Sequence, residues 1–269
     1  MVSRRKKWFF VLPLIAFLVW AGNPLSRVSQ KESEEVCAAT IMQWDHEELL
    51  KRLADISPER LERMRDAGEE IMRWNRILQK SCSNVVKEVL DHFEAFYEFE
   101  KYPAGDVIDQ ENSSQYFYHA HRAEEHGHFH TFSLHQKGPK TPTHLVAISM
   151  DRQGRPKGIF TTNQWVTAET LLGAEDLLPL IDQFKIELAE PSWLTNQWVG
   201  AMLILFYPQI VALLKERDRA LEEWRQSGAL RSIFEDRSHE VLTEMPISIE
   251  EQMEGIRTVM NTDRQCSES

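Results

Sequence analysis

A strand–loop–strand segment near the middle of the chain decides the fold. It reads QYFYHAHRAEEHGHFHTFSLH, from Gln115 to His135. Aromatic residues and histidines alternate on either side of a short polar stretch, which predicts two antiparallel strands near 115–122 and 127–136. Two segments of similar character follow near 143–151 and 157–165. The short turns between the four segments favour an antiparallel meander over a parallel sheet, which would need long crossovers.

Helical patterns occupy the sequence before these strands. Ser57 can cap a helix that has Pro58 at its first position, and apolar residues recur at three- and four-residue intervals to about Gln79. A second amphipathic helix is predicted over 85–97, and a short one near Asp45–Ala54. The turn-forming residues Pro103-Ala-Gly-Asp106 are expected to end this helical half.

Helices are also predicted after the strands, the first over Ala174–Phe184. Trp193–Leu214 has no charged residue over 22 positions. We interpret it as a buried central helix, kinked or restarted at Pro208; by length alone, a membrane span is the alternative. Residues 239–247 can add an edge strand, and Ser248-Ile-Glu-Glu251 forms a capping box for a last helix.

These elements predict an α+β fold in which a small antiparallel sheet of four or five strands packs against several helices. We expect a single domain over residues 45–265. Residues 1–44 are expected to form a signal-like or anchor segment followed by a linker.

The N-terminal segment contains fourteen uncharged residues, Trp8–Ala21, after Arg4-Arg5-Lys6-Lys7. A transmembrane helix needs about 20 apolar residues, whereas a secretory signal has about 7–15 behind a basic stretch. This pattern predicts export or membrane association through Trp8–Ala21. The alternative is a cytoplasmic protein whose start codon has been assigned too far upstream.

Charge and cysteine spacing exclude several function classes. The net charge is −11, without a basic stripe, so nucleic acid is not an expected partner. The three cysteines, Cys37, Cys82 and Cys266, form no C-x-x-C pair, which excludes a zinc ribbon or a thioredoxin-type motif. Walker A, G-x-G-x-x-G, G-x-S-x-G and H-E-x-x-H motifs are also absent from the sequence.

Histidine is concentrated in the predicted strands, because seven of the ten histidines lie between His119 and His144. Side chains alternate along a strand, so His119 and His121 share one face, as do His126, His128 and His130. Whether these two sets meet depends on the length of the connecting loop. A four-residue loop over 123–126 would set His121 opposite His128 and His119 opposite His130, with Cβ atoms about 4.5–5.5 Å apart. A three-residue loop would put the two sets on opposite faces of the sheet.

We therefore predict a histidine-lined pocket that binds a divalent metal. The predicted ligands are His119, His121, His128 and His130, with Glu125 as an additional ligand or catalytic base. Three nitrogen ligands and an open position suit catalytic zinc, whereas two histidines and a carboxylate suit iron(II). The competing interpretation is a non-catalytic structural or binding domain without a cofactor, in which the histidines are hydrogen-bonded or at the surface. The pattern leaves the substrate, the reaction and the presence of enzymatic activity undecided.

Most of residues 57–260 resemble an uncharacterised bacterial family, a domain of unknown function. The resemblance implies no assigned activity, and it implies that the first 40 or so residues lie outside the shared domain. It is carried by Ser57-Pro-Glu-Arg-Leu, Tyr118-His-Ala-His-Arg122, Glu125-His-Gly-His-Phe-His-Thr-Phe132, Thr143-His-Leu-Val-Ala147, Phe160-Thr-Thr-Asn-Gln-Trp165 and Pro191-Ser-Trp193.

A second resemblance is to the first cupin motif. The spacing His119-x-His121-x-x-x-Glu125 is similar to H-x-H-x(3,4)-E, with which cupins ligate iron, manganese or zinc on a β-barrel. The glycines that flank this motif in cupins are not at their usual places. Four predicted strands are also fewer than a jelly roll requires.

Overall fold

The structure, a computed structural model, describes residues 39–91, 93–134, 142–168 and 171–267, with side chains up to residue 262. The predicted signal-like or anchor segment Trp8–Ala21 lies outside these residues, as does His135. Export or membrane association therefore stays a prediction.

A seven-stranded sheet organises the described residues, with strand order β1-β7-β6-β5-β4-β3-β2. Neighbouring strands are antiparallel, except that β1 runs parallel to β7. The strands are β1 (Thr40–Ile41), β2 (Tyr102–Asp109), β3 (Ser114–His119), β4 (Gly127–Ser133), β5 (Thr143–Met150), β6 (Pro156–Thr162) and β7 (Val241–Pro246).

The α+β class is as predicted, but the predicted count of four or five strands was wrong. The additional strand β2 contains Pro103–Asp106, the turn-forming residues that were expected to end the helical half of the chain. Tyr102 pairs with Tyr118 and Val107 with Tyr116. The residues between Tyr102 and Val107 are therefore accommodated as a bulge, in which Gly105 and Asp106 have positive φ angles. Turn-forming residues were thus compatible with a strand because the strand is irregular where they occur. The other additional strand, β1, lies within the stretch that was expected to be linker.

Nine helices are present among the described residues. They are α1 (His46–Ala54), α2 (Pro58–Lys80), α3 (Val85–Leu90), α4 (Gln164–Thr167), α5 (Ala174–Gln183), α6 (Trp193–Leu205), α7 (Tyr207–Ser227), α8 (Leu230–Glu235) and α9 (Ile249–Ser267). The predicted caps are present: the Ser57 hydroxyl accepts a hydrogen bond from the Arg60 amide, and the Ser248 hydroxyl accepts one from the Glu251 amide.

The helix expected over 85–97 ends at Leu90 instead. The apolar residues beyond it, Phe93 and Phe96, pack their rings on Tyr102 of β2, with ring centroids 4.8 and 5.2 Å apart. Their spacing resembled a helical stripe because both residues are partly buried and pack against the core. It carried no information about the backbone conformation that buries them.

The uncharged run from Trp193 forms α6 and the start of α7, and its break falls at Phe206, close to the predicted Pro208. Among the described helices, none is long and apolar enough to cross a membrane by itself. Taken together, α6 and α7 meet that test of length and composition, but they are bent by 68°. Most of the α6 side chains are buried.

The two faces of the sheet carry different side chains. Tyr116, Tyr118, Phe129 and Ile148 point to one face, where they join a core with residues from the helices, such as Trp198 of α6. Because strand side chains alternate, the intervening residues point to the opposite face. That opposite face carries Phe117, His119, His128, His130 and Phe160.

Candidate functional site

The register of β3 and β4 places the histidines on one face, although the predicted pairs were wrong. His119 lies opposite His128, and His130 lies opposite Phe117. The connection is longer than the predicted four-residue loop, because β3 ends at His119 and β4 begins at Gly127. The register is displaced by two residues, so the side chains keep the predicted face.

Gly127 is required where this connection joins β4. A Cβ atom at this position would lie 2.6 Å from both the His119 carbonyl oxygen and the Tyr118 hydroxyl. Real Cβ atoms do not approach other heavy atoms this closely, so any larger residue would push β4 away from the end of β3. The close approach at Gly127 therefore helps to hold the histidines of the two strands together.

Three imidazole nitrogens meet at one point above this face. The Nε2 atom of His128 lies 2.7 Å from that of His119 and 3.0 Å from that of His130. The Nε2 atoms of His130 and His119 are also 3.0 Å apart. His128 and His130 are fully buried, whereas His119 retains partial exposure. We call these three residues the histidine triangle.

Two of the three Nδ1 atoms of the triangle, those of His128 and His130, have partners on the side away from its centre. The Nδ1 atom of His128 contacts Glu125 Oε1. A neutral imidazole has one N–H, so donation to Glu125 leaves a lone pair on His128 Nε2. Burial alone would raise the pKa of the Glu125 carboxyl, but the hydrogen bond from His128 holds it below its usual value. Glu125 thus lies behind a ligand nitrogen instead of beside the centre of the triangle.

A second relay of hydrogen bonds lies behind His130. Its Nδ1 atom is 2.9 Å from Nε2 of His144, whose Nδ1 atom is 3.3 Å from the Thr162 hydroxyl. When His144 Nδ1–H donates to Thr162, His144 Nε2 accepts from His130, and the Nε2 atom of His130 carries a lone pair. With this arrangement of hydrogens, two of the three nitrogens in the triangle are acceptors.

Burial keeps these imidazoles neutral. Desolvation, together with repulsion from neighbouring histidines, lowers the pKa of His119 to about 2. The same causes lower the pKa of His130 well below its ordinary value, and desolvation lowers that of His144 to about 3. Desolvation also lowers the pKa of His128, against the opposing effect of Glu125. Neutral imidazole is the form that binds metal ions.

His121 lies beside the triangle, with its Nε2 atom 3.3 Å from Glu240 Oε1. Its ring centroid is 4.7 Å from that of His119 and 5.0 Å from that of His128. The His121 and Glu240 side chains are 11% and 20% exposed, which places them on the solvent side of the fully buried His128. The Phe99 ring, itself exposed, stacks on His121.

Sequence reasoning missed Glu240. It directly precedes β7, more than a hundred positions after the histidines. Only the pairing of β6 with β7 brings it to the site. The sequence offered one weak signal, its place at the start of the predicted edge strand.

The His126 side chain lies away from the histidine triangle. The Nδ1 atom of His126 lies 2.8 Å from the Tyr118 hydroxyl, and its ring stacks on Phe96 at 5.1 Å. These contacts belong to the face that packs against the helices, so the structure separates His126 from the triangle.

Carboxylates outnumber cations around the triangle in the described part of the chain. Arg122 lies 2.8 Å from Glu244 and 3.6 Å from Glu125, and its guanidinium covers the Phe160 ring at 4.4 Å. Glu240 adds a third carboxylate without adding a cation. Since the imidazoles are neutral, the surroundings carry excess negative charge, which favours a bound divalent cation.

The fold and this centre define an α+β protein in which one face of a seven-stranded sheet carries a buried three-histidine cluster able to hold a metal ion. The chain belongs to the family described as Domain of unknown function (DUF6969), whose model matches residues 65–247. The matched region includes every residue of the histidine triangle, together with Glu125 and Glu240. No curated protein and no solved structure matches the chain. The similarity to the first cupin motif thus rests on the spacing alone.

Proposed function

We propose that this protein binds one divalent transition-metal ion on the Nε2 atoms of His119, His128 and His130. The observation that carries the proposal is the triangle of these atoms, with sides of 2.7, 3.0 and 3.0 Å. Each corner of such a triangle lies less than about 2 Å from its centre. A single ion at the usual Zn–N distance of about 2.0–2.1 Å can therefore contact all three nitrogens.

Hydrogen bonding among the histidines explains the triangle less well. His128 Nε2 has only a lone pair when its Nδ1 donates to Glu125, and the relay through His144 has the same effect on His130. Two lone pairs would then face each other at 3.0 Å in a buried place, at an electrostatic cost. A cation between them turns this repulsion into coordination.

The surroundings of the triangle resemble those of metal-binding histidines in general. Such histidines donate their other N–H to a carboxylate or a carbonyl, which fixes the tautomer and strengthens the ligand. Glu125 has this relation to His128. Three protein ligands leave further positions for water or substrate, as in catalytic metal sites, whereas structural zinc sites use four ligands.

The spacing bears on which ion is bound. Two ligands of a tetrahedral ion at about 2.05 Å are about 3.3 Å apart, whereas adjacent ligands of a six-coordinate ion are about 2.9 Å apart. The observed 2.7–3.0 Å agrees better with three adjacent positions of a six-coordinate ion. Of the two ions that the sequence suggests, iron(II) is therefore favoured over zinc.

Metal analysis of the purified full-length chain tests this proposal. After removal of metal and reloading with iron(II) under anaerobic conditions, or with zinc, we expect one tightly bound ion per chain. His119→Ala/His128→Ala should abolish tight binding, while His126→Ala, in the same stretch but outside the triangle, should retain it. Equal and substoichiometric metal in all three proteins would support the competing structural role.

A further inference from the structure

A partly buried carboxylate beside the histidine triangle, that of Glu240, has no assigned role so far. The backbone carbonyl of Glu240 accepts a hydrogen bond from the Asn163 amide at 2.7 Å. The Asn163 side chain also donates to the carbonyl of the preceding His239. These two bonds fix the backbone at the start of β7, so the Glu240 side chain emerges at a set position.

The Oε1 atom of Glu240 is buried, yet it has no hydrogen-bond partner among the described residues. It lies 3.3 Å from His121 Nε2, but the geometry there does not make a hydrogen bond. A buried acceptor that lacks a partner costs free energy, more so when it is charged. A cation beside it would remove that cost.

Glu240 is also within reach of the ion proposed for the triangle. His121, His128 and Glu240 form a second group whose ligand atoms all lie within 4.8 Å of one another, and this group shares His128 with the triangle. Opposite ligands of one ion at about 2.1 Å are about 4.2 Å apart. A glutamate side chain has three rotatable bonds, so a small rotation can bring the Glu240 carboxylate to this distance from a His128 nitrogen.

The other two carboxylates near the triangle are already engaged. Glu125 contacts His128 through Oε1 from the Nδ1 side, away from the centre of the triangle, and its Oε2 atom, which has no hydrogen-bond partner in the described part of the chain, lies 3.6 Å from Arg122. Glu244 is paired with Arg122 at 2.8 Å. Glu240 is thus the carboxylate that remains for coordination.

We infer that Glu240 supplies a fourth protein ligand to the metal ion and that His121 orients its carboxylate. This inference rests on the proposed three-histidine site. A set of three imidazoles and one carboxylate matches ions that accept oxygen ligands readily, such as manganese(II) and iron(II), better than three imidazoles alone. Glu240 then acts as a selectivity residue, because it raises the preference for these ions relative to zinc. In a six-coordinate ion, two positions stay open for substrate.

Titration of the metal-free full-length chain with manganese(II) and, separately, with zinc(II) tests this role. Glu240→Gln keeps the size of the side chain and removes its charge. Glu124→Gln removes the same charge from an exposed position in the connection between β3 and β4 and serves as the matched control. We expect Glu240→Gln to weaken manganese(II) binding by at least tenfold and zinc binding by less, with Glu124→Gln close to wild type. Unchanged melting temperatures of the metal-free variants would show that the fold is intact.

The possible outcomes separate the two proposals. If the wild-type chain binds manganese(II) and Glu240→Gln binds it equally well, the role of Glu240 is overturned while the three-histidine site stands. If the wild-type chain and His128→Ala both bind neither ion, the site itself is overturned together with this inference.

Discussion

The two faces of strands β3 and β4 are both buried, but they differ in how their polar atoms are paired. On the helix-covered face, the Tyr116 hydroxyl donates to Asn196 Oδ1 at 2.6 Å, and Phe129 packs edge-to-face against the Tyr116 ring. On the other face, the Nε2 atoms of His119, His128 and His130 converge to within 2.7–3.0 Å of one another. On the helix-covered face the Tyr116 and Asn196 side chains satisfy each other, whereas in the function that we propose the histidine face is completed by a metal ion.

This difference shows how one sheet can separate stability from function. Alternation along a strand gives each face its own set of residues while both share one backbone. Loss of packing on the helix-covered face should lower the free energy of unfolding. Changes on the histidine face should act mainly on metal binding, because this face carries the proposed metal site.

The largest effect is expected on the helix-covered face. Phe129→Ala removes a fully buried ring from the core and should lower the free energy of unfolding by about 3–5 kcal/mol. Denaturant titration of the metal-free protein measures this change. A loss below about 1 kcal/mol would mean that this face is not the main core.

On the histidine face, His130→Ala should weaken metal binding by at least about a hundredfold, equivalent to about 2.7 kcal/mol. The reason is that one of three ligands is lost at a position with no solvent to replace it. Competition with a chelator measures the affinity. The melting temperature with chelator present separates lost binding from lost folding, and near-wild-type affinity would contradict the assignment of His130.

Glu125→Gln tests whether the charge of Glu125 strengthens His128 as a metal ligand. The amide can still accept from His128 Nδ1, but it lacks the charge that strengthens the imidazole as a ligand. We expect metal affinity to fall by about 10–100-fold. Isothermal titration against Glu124→Gln gives the comparison, and a loss as complete as that of His130→Ala would instead indicate that Glu125 is itself a ligand.

The smallest effect is expected for Tyr116→Phe. It leaves Asn196 Oδ1 without its donor in a buried environment and should cost about 1–2 kcal/mol of unfolding free energy. Metal affinity should not change. A parallel loss of metal affinity would show that the two faces are coupled. The sheet would then not separate stability from metal binding.

Local patterns predicted much of this architecture. Ser57 and Pro58 fix the start of α2, and the alternation in β3 and β4, taken with an even number of residues between the paired strand positions, put His119, His128 and His130 on one face. Both features depend on residues close in sequence, whose consequences follow from helix and strand geometry.

Features that depend on distant contacts were not predictable in the same way. The bulge that admits Pro103 into β2 is set by its pairing with β3. The exact partners of His128 depended on where β3 ends, which the polar connection did not reveal. Glu240 reaches the site through the pairing of β6 and β7, and no local pattern marks it. The sequence proposed Glu125 as the nearby carboxylate, and the structure gives it a place behind His128.

Anomalous X-ray scattering from crystals of the iron(II)- or zinc-loaded protein tests the central claim most directly. Data collected at the absorption edge of the ion locate it independently of the protein atoms. The account predicts one strong peak about 2.0–2.2 Å from the Nε2 atoms of His119, His128 and His130. A peak elsewhere on the chain, with the three imidazoles free of any ion, would contradict it.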